Sequence, residues 1–201
     1  MKSPAVFLLI AANVVAYLLE GPEGSRFEQL FALWPLQPDS EGQSYFHFWQ
    51  IVTYAFLHDP RNVSHLFFNM FAVFMFGTAV ERYVGPLRLL ACYFASVISA
   101  ALTQLTVPAL LGAVPGPTIG ASGGVFGLLL AYAVMFPQAK VMLLILPIPM
   151  PAWLFATLYA AVELLFGVTG TFSGVAHFAH LGGMIGGALV VLQWRRRAGT
   201  R

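Results

Sequence analysis

The sequence predicts an all-α fold: a polytopic membrane protein built as a bundle of six transmembrane helices. Of its 201 residues, 59% are hydrophobic and only 9% are charged, and the mean hydropathy is +0.78. Soluble domains carry about 25% charged residues, so this composition excludes a soluble chain. The net charge of +2 is small, and no basic stripe runs between exposed aromatics, which excludes nucleic acid as a partner.

Six apolar runs are long enough to act as helices in a hydrocarbon core about 30 Å thick. They lie near residues 4–19, 63–83, 86–107, 121–136, 151–168 and 173–194. The fourth run is the shortest, at about 16 residues or about 24 Å of helix. We therefore expect its start to lie in a water-filled cavity.

Each span carries its own boundary signals. The first run has no small-residue cleavage site and is followed by further spans, so it reads as a retained helix rather than a signal peptide. "ERYVGP" separates the second run from the third, and "FPQAK" ends the fourth. The fifth begins near Pro151, because a proline is tolerated in the first turn of a helix. The sixth ends before a short basic tail, and residues 1–201 are expected to form a single membrane domain.

The distribution of positive charge predicts the orientation. With six spans, both termini and alternate loops lie on one side of the membrane, and eight of the ten basic residues fall there: Lys2, Arg82, Arg88, Lys140, Arg195, Arg196, Arg197 and Arg201. Only Arg26 and Arg61 fall on the opposite side. By the positive-inside rule, both termini are cytoplasmic.

The first loop, near residues 20–62, is unusually long for a small bundle and is predicted to lie outside. It carries six acidic residues: Glu20, Glu23, Glu28, Asp39, Glu41 and Asp59. Its aromatic stretch "YFHFWQIVTYAFLH" suggests a loop lying partly in the membrane interface. Loops of this length are often functional.

Most polar residues inside the spans are expected to form hydrogen bonds between helices. This group comprises Asn13, Ser96, Ser99, Thr103 and Gln104. Cys92, the single cysteine, is expected to be a small packing residue. Glu163, near the outer end of the fifth span, is assigned no role.

Five other polar residues lie at one depth, because the second, fourth and sixth spans all enter from outside. His65 and Asn69 lie in the first two turns of the second span, Ser122 opens the fourth, and His177 and His180 lie in the first two turns of the sixth. Three helices thus bring a hydroxyl, imidazoles and an amide to the outer third of the membrane. This convergence predicts a functional site.

Glycines predict close contact between the fourth and sixth spans. Gly123 and Gly127 form a small-x-x-x-small stripe, and Gly183 and Gly187 form another. His180 shares a face with the second stripe, at three and seven residues' separation. Packing the two stripes together would bring this imidazole within hydrogen-bond reach of the serine.

A serine beside an imidazole is the minimum equipment for acyl transfer, and the tetrahedral oxyanion then needs prearranged donors. The free N–H groups at the start of the fourth helix and the side chains of His65 and Asn69 are candidate donors. A metal would need three or four converging ligands, and we expect no Cys, Asp or Glu at a suitable spacing. "GASGG" also matches the G-x-S-x-G nucleophile elbow, but that motif needs a strand and a soluble sheet that this sequence lacks.

Four motifs complete the sequence evidence: "HLFFN" at 65–69, "ERYVG" at 81–85, "GASG" at 120–123 and "AHLGGMIGG" at 179–187. With them, the chain resembles the bacterial rhomboid intramembrane serine proteases over essentially its whole length. The resemblance implies a six-helix bundle and a Ser122–His180 dyad without a third acid. It also implies an oxyanion site formed by His65, Asn69 and the Ser122 backbone amide, and no cofactor.

The chain departs from the family pattern at two positions. The Trp-Arg pair of the first loop reads Trp49-Gln50 here, which puts any role of that arginine in doubt. Phe126 stands where many relatives carry a tyrosine that packs on the catalytic histidine. A phenyl ring can still stack there, although a hydroxyl hydrogen bond is lost.

The resulting expectation is an intramembrane serine endopeptidase of the bacterial inner membrane, which cleaves transmembrane-anchored proteins near the outer face. Its expected partners are those substrates and the lipid bilayer; the oligomeric state is not predicted. One alternative is a non-catalytic client-binding relative, which is disfavoured because both Ser122 and His180 are kept. Another is a small transporter with a proton relay through His65, His177 and His180, which would require paired half-helices and internal symmetry that the sequence does not display.

Overall fold

The protein is almost entirely helical in the computed structural model, which describes residues 3–38, 41–113, 116–142, 148–171 and 174–199. The long helices are α1 (Pro4–Leu19), α4 (Val63–Ala72), α5 (Thr78–Val84), α6 (Pro86–Leu110), α7 (Ser122–Met135), α8 (Ala152–Thr169) and α9 (His177–Gly199). A π-helical turn, Val73–Gly77, joins α4 to α5 into one continuous element. The short elements are α2 (Arg26–Phe31), α3 (Gln50–Thr53), a 3-10 turn (Tyr54–Phe56) and a two-stranded antiparallel ribbon of β1 (Lys140–Val141) and β2 (Met150–Pro151).

The all-α prediction is confirmed, and the long helices coincide with the six predicted spans to within about five residues. Among the described residues, three helices are long and apolar enough to cross a membrane: Val63–Val84, Pro86–Leu110 and Ala152–Thr169. Two shorter apolar helices, Pro4–Leu19 and Ser122–Met135, accompany them. The chain is therefore a helical membrane protein, and the count of six spans stays a prediction.

Helix α7 lies at the centre of the bundle, packed against α6, α8 and α9. Its sequence is apolar on every face, which is the pattern of a helix enclosed by others. Nine of its 14 residues are buried accordingly. The helix that begins at Ser122 is thus fixed by packing on all sides.

The glycine stripes bring α7 and α9 into backbone contact, as the sequence predicts. A Cβ atom built on Gly187 would lie 2.8 Å from the Gly127 Cα, and one built on Gly183 would lie 2.8 Å from the carbonyl carbon of Gly123. Real Cβ atoms essentially never approach other heavy atoms so closely. Only glycine therefore allows this separation of the two helices.

The "ERYVG" motif ties the start of α1 to the end of α5. The Glu81 carboxylate is buried and accepts hydrogen bonds from the backbone N–H groups of Ala5 (3.0 Å) and Val6 (2.9 Å). These are two of the donors that a helix start leaves without an intrahelical partner. Gly85 then ends α5 with a φ of +87°, a conformation that glycine adopts without strain.

Gln50 organises the first loop from inside. Its fully buried side-chain amide donates hydrogen bonds to the carbonyls of Gln29, Leu30 and Tyr45, at 3.0–3.3 Å. Its oxygen accepts from the backbone N–H of His47 at 3.1 Å. The glutamine that departs from the Trp-Arg pattern therefore links separate stretches of the loop.

The first loop also reaches the segment that precedes α7. Leu33 and Thr118 form an isolated antiparallel bridge, with each backbone N–H donating to the other residue's carbonyl at 2.9–3.0 Å. The side chain of Thr53 donates to the carbonyl of Phe31 at 2.8 Å. These bonds hold the loop against the end of the bundle at which Ser122 lies.

Candidate functional site

Ser122 is the first residue of α7, and the turn before it is held from two sides. The N–H of Gly120 donates to the carbonyl of Tyr54 (3.0 Å), and the buried Tyr54 hydroxyl donates to the carbonyl of Val97 on α6 (2.9 Å). Gly120 has a φ of +122°, and a Cβ there would lie 2.9 Å from Nε2 of His65. Position 120 therefore requires glycine for two reasons: the backbone conformation is one that other residues rarely adopt, and a side chain would collide with the His65 imidazole.

The side chains of Ser122 and His180 are in direct contact. The Ser122 Oγ lies 2.8 Å from the His180 Nε2, within hydrogen-bond distance. The glycine contact between α7 and α9 sets this separation, because each side chain lies close to its own stripe. The proximity expected from the sequence is present, and His180 is almost fully buried.

Phe126, one turn along α7, lies flat against the His180 imidazole. The ring centroids are 4.3 Å apart and the ring planes differ by 13°. Tyr159 of α8 meets the same phenyl ring edge-on, at 5.0 Å. The expected stack therefore forms without a tyrosine at position 126.

His65 and Asn69 lie on α4, and His65 faces the turn before α7. The His65 Nδ1 accepts a hydrogen bond from the Asp59 backbone N–H at 3.3 Å. A neutral imidazole whose Nδ1 accepts carries its proton on Nε2, the atom that faces Gly120. The Asn69 side-chain amide donates one of its hydrogens to the His65 carbonyl at 3.0 Å, and its second hydrogen remains for another acceptor.

Glu163 of α8 is the site residue that sequence reasoning missed. It is 5% exposed, and its Oε2 lies 2.6 Å from Nδ1 of His177 and 3.0 Å from Nδ1 of His180. The expectation that no acidic residue lies at a spacing suitable for a metal ion was wrong. The resemblance implied a Ser122–His180 dyad without an acid, but Glu163 contacts the nitrogen of His180 that faces away from Ser122. The sequence does contain one indication of this contact, because a single carboxylate in an apolar run needs a polar partner. Glu163 and His177 lie on different helices, 14 residues apart, so the sequence pattern did not predict their contact.

The two histidines of α9 both lie near this carboxylate but differ in their other contacts. His180 faces Ser122 with Nε2, whereas the Nε2 of His177 lies 3.0 Å from the Thr171 carbonyl. Ligand atoms of Glu163, His177 and His180 all lie within 4.8 Å of one another, a spacing that permits a metal ion. However, ligands at about 2.0–2.1 Å from tetrahedral zinc lie about 3.3 Å apart. The 2.6 Å and 3.0 Å contacts are shorter, as in hydrogen-bonded or ion-paired groups.

An apolar groove of about 440 Å³ opens beside this cluster. Phe155, Leu158, Val162 and Phe166 of α8 line it, together with Glu163 and both histidines of α9. A groove with mostly apolar walls and a few convergent polar groups is the usual form of a binding site. It can accept an apolar segment next to the His180 imidazole that contacts Ser122.

Comparison with known proteins finds a match to the Rhomboid domain over residues 45–197. The chain is 33% identical to Rhomboid protein 1, mitochondrial, of Saccharomyces cerevisiae, covering 92% of this chain and 51% of that protein. It is 27% identical to Rhomboid protease GluP of Bacillus subtilis (92% and 34% covered) and 30% identical to Rhomboid protease AarA of Providencia stuartii (73% and 56% covered). The chain thus spans between a third and just over half of these relatives' lengths.

Proposed function

The chain belongs to the rhomboid family, and from that premise we propose that it is a serine-type intramembrane endopeptidase with Ser122 as nucleophile and His180 as base. The observation that carries the proposal is the 2.8 Å contact between the Ser122 Oγ and the His180 Nε2. A nucleophile and a base within hydrogen-bond reach are the signature of covalent acyl transfer. Two of the relatives are named rhomboid proteases, which supports the same reaction class.

The proposed reaction runs in two halves. In the first, the Ser122 Oγ attacks the scissile carbonyl carbon while its proton passes to the His180 Nε2, and the carbonyl electrons move onto oxygen. The C–N bond then breaks, and the His180 proton passes to the leaving amine, which gives an acyl-enzyme. In the second half, water attacks the acyl carbon, loses a proton to Nε2, and the Ser122 oxygen leaves with that proton.

The tetrahedral oxyanion of each half needs donors close to the carbonyl oxygen. We assign this role to the Nε2–H of His65, the free amide hydrogen of Asn69 and the backbone N–H of Ser122. The Asp59 contact supports the assignment for His65, because it leaves the proton on Nε2, which faces Gly120, two residues before Ser122. The start of α7 adds the positive end of a helix dipole.

We propose transmembrane-anchored proteins as substrates. The apolar groove beside His180 suits a segment drawn from the bilayer, and the site lies at the outer end of α7 in the orientation that basic residues favour. A helical peptide hides its carbonyls in intrahelical hydrogen bonds, so the cleaved segment must unwind. Gly lowers that cost by about 1 kcal/mol and Pro by about 3 kcal/mol relative to Ala. Substrates with such residues near their outer end should be cleaved fastest.

The proposed location is a bacterial cell membrane with both termini in the cytoplasm, in line with the Bacillus and Providencia relatives. The mitochondrial relatives make an organelle membrane the competing location. Cysteine labelling of single-cysteine variants near each terminus, in intact cells, would determine the orientation.

The test of the function uses the purified protein reconstituted in lipid with a transmembrane substrate. A fluorophosphonate probe should label Ser122, and both Ser122→Ala and His180→Ala should abolish cleavage while the variants remain folded. His177→Ala, one turn away on α9, tests the choice of base: it should lower activity less than His180→Ala does and keep measurable activity. A protein that is folded but neither labels nor cleaves would favour the client-binding alternative, and mass spectrometry of the products would locate the cleaved bond.

A further inference from the structure

We propose that Glu163 is a positioning residue for His180, so that the reaction centre has three members, Ser122, His180 and Glu163, with His177 holding the carboxylate in place. This inference rests on the proposed function, because it concerns the base of that same reaction. It differs from the dyad that the sequence resemblance implies, which has no third acid.

The first support is the geometry on both sides of the His180 ring. Nε2 lies 2.8 Å from the Ser122 Oγ, and Nδ1 lies 3.0 Å from the Glu163 Oε2. To accept the serine proton, Nε2 must be free, so a neutral His180 carries its proton on Nδ1. That proton is then on the side of the ring that faces the carboxylate.

The second support is the absence of a competing partner. The contact of Nδ1 with Glu163 has the distance of an ion pair but not the alignment of a hydrogen bond, and no other described residue bonds to this nitrogen. The phenyl ring of Phe126 covers one face of the imidazole. The Glu163 carboxylate is therefore the charge best placed to act on His180.

The third support is the proton balance of His177 and Glu163. The Thr171 carbonyl can only accept, so the His177 Nε2 must donate to it at 3.0 Å. Nδ1 and the Glu163 Oε2, 2.6 Å apart, then share a second proton. A carboxylate paired with a protonated His177 satisfies both contacts and keeps a negative oxygen beside His180.

In the reaction, this arrangement acts on the charge that develops. When His180 takes the Ser122 proton it becomes an imidazolium in a buried site, where an uncompensated charge is costly. A carboxylate at Nδ1 stabilises that cation and holds the ring with Nε2 toward the serine, as the acid does in a Ser-His-Asp triad. Among the described residues, Tyr159 of α8 and His65 of α4 are the other titratable groups around the cluster, and neither offers a carboxylate.

The test compares four variants in the reconstituted assay: Glu163→Gln, Glu163→Asp, His177→Gln and Tyr159→Phe. Glu163→Gln should lower kcat about 10- to 150-fold with KM little changed, because the imidazolium that forms at His180 loses its charged partner. Glu163→Asp keeps the charge and should recover part of kcat. His177→Gln leaves the carboxylate and should lose less than Glu163→Gln, whereas Tyr159→Phe should resemble the wild type.

Thermal unfolding of each variant separates positioning from folding. If Glu163→Gln does not fold, the double variant Glu163→Gln/His177→Gln, which removes both members of the buried pair, takes its place and should show the same loss of kcat. Wild-type kcat in the glutamine variant would overturn the proposal. A raised KM with unchanged kcat in Glu163→Gln would also overturn it. The same holds for a loss of kcat that parallels the loss of melting temperature and is not recovered in Glu163→Asp.

The outcomes also separate this inference from the function on which it depends. If the wild type is active, Ser122 is labelled and Glu163→Gln is equally active, the positioning role of Glu163 is wrong and the proposed function stands. A wild type without activity or labelling removes both proposals. One equivalent of zinc in the purified protein, lost in the Glu163→Gln variant, would make Glu163 a metal ligand and would also overturn the positioning role.

Discussion

The phenyl ring of Phe126 stacks on the imidazole of His180, with centroids 4.3 Å apart and planes 13° from parallel. Aromatic pairs of this kind contribute about 0.5–1.5 kcal/mol beyond their buried area. We expect Phe126→Leu to lower kcat about 2- to 13-fold, because His180, the proposed base, loses a ring that packs against it. Phe126→Tyr keeps the stack and should stay near the wild-type rate. Steady-state kinetics at saturating substrate provides the measurement.

The control for this comparison is Phe136→Leu, at the other end of α7, where the ring meets Tyr83 edge-on at 5.5 Å. It removes a similar aromatic contact far from His180. Equal kcat in Phe126→Leu and the wild type, at equal melting temperature, would show that the stack has no part in the reaction.

His65→Ala should lower kcat about 100- to 1,000-fold, the usual effect of removing one oxyanion donor. Asn69→Ala should act in the same direction. Labelling of Ser122 by the probe should fall less than turnover, since Ser122 and His180 are both unchanged. His47→Ala, whose ring stacks on Trp49 in the first loop at 4.4 Å, is the control and should retain kcat. Full turnover in both His65→Ala and Asn69→Ala would remove them from the site.

Glu81→Ala should destabilise the protein without altering the chemistry of the folded fraction. The substitution leaves the backbone N–H groups of Ala5 and Val6 without an acceptor at a buried helix start, at a cost of about 1–3 kcal/mol for each. Thermal unfolding in detergent measures the loss. Glu23→Gln, which breaks an exposed pair with Arg61, should change stability by less than about 1 kcal/mol. Similar melting temperatures for the two variants would contradict the helix-capping role of Glu81.

Glu20, at the end of α1, predicts a pH-dependent stability. Burial raises the pKa of its carboxyl from 4.5 to about 7; the His58 N–H bond lowers it, and the charges of Glu28 and Asp59 raise it further. A raised folded-state pKa means that the stabilising contribution is full below pH 4.5 and is lost as the pH rises through 7. Glu20→Gln keeps an acceptor for His58 and never ionises, so it should raise the melting temperature more at pH 8 than at pH 5.

His58 works in the opposite sense, because burial lowers the pKa of its imidazole from 6.5 to about 3. Its contribution is full above pH 6.5 and is lost as the pH falls toward 3. The Glu20 comparison is therefore clearest as the slope of melting temperature between pH 6.5 and 8. An identical slope in Glu20→Gln and the wild type would contradict the assignment.

Much of the site could be predicted from the sequence, because the sequence indicates the order and direction of the spans and which residues share a helix face. The depth of Ser122 and His180 follows from counting spans, and their contact follows from two glycine stripes that share their faces. The stacking of Phe126 follows from its place one turn after the serine. These inferences needed only positions along a helix and the direction in which each helix runs.

The contacts of Glu163 with His177 and His180 could not be predicted in the same way. Which face of α8 points to α9 depends on how the helix rotates about its axis, and its sequence is apolar on nearly every face. The anchoring role of Gln50 was hidden for a related reason, since its partners are backbone carbonyls of a loop whose path the sequence pattern does not encode. Contacts between side chains that are distant in sequence and follow no helical or strand period are defined only by the three-dimensional fold.

The backbone contact between α7 and α9 makes the distance between Ser122 and His180 depend on the absence of side-chain carbon atoms at four glycines. Adding one methyl group at Gly183 or Gly187 would act as a spacer, pushing the helices apart and taking His180 away from Ser122. A hydrogen bond of 2.8 Å tolerates only a few tenths of an ångström before it weakens. A substitution at a residue without any functional group would then change the reactivity of Ser122. The glycines, whose side chains are single hydrogen atoms, therefore belong to the chemical requirements of the site.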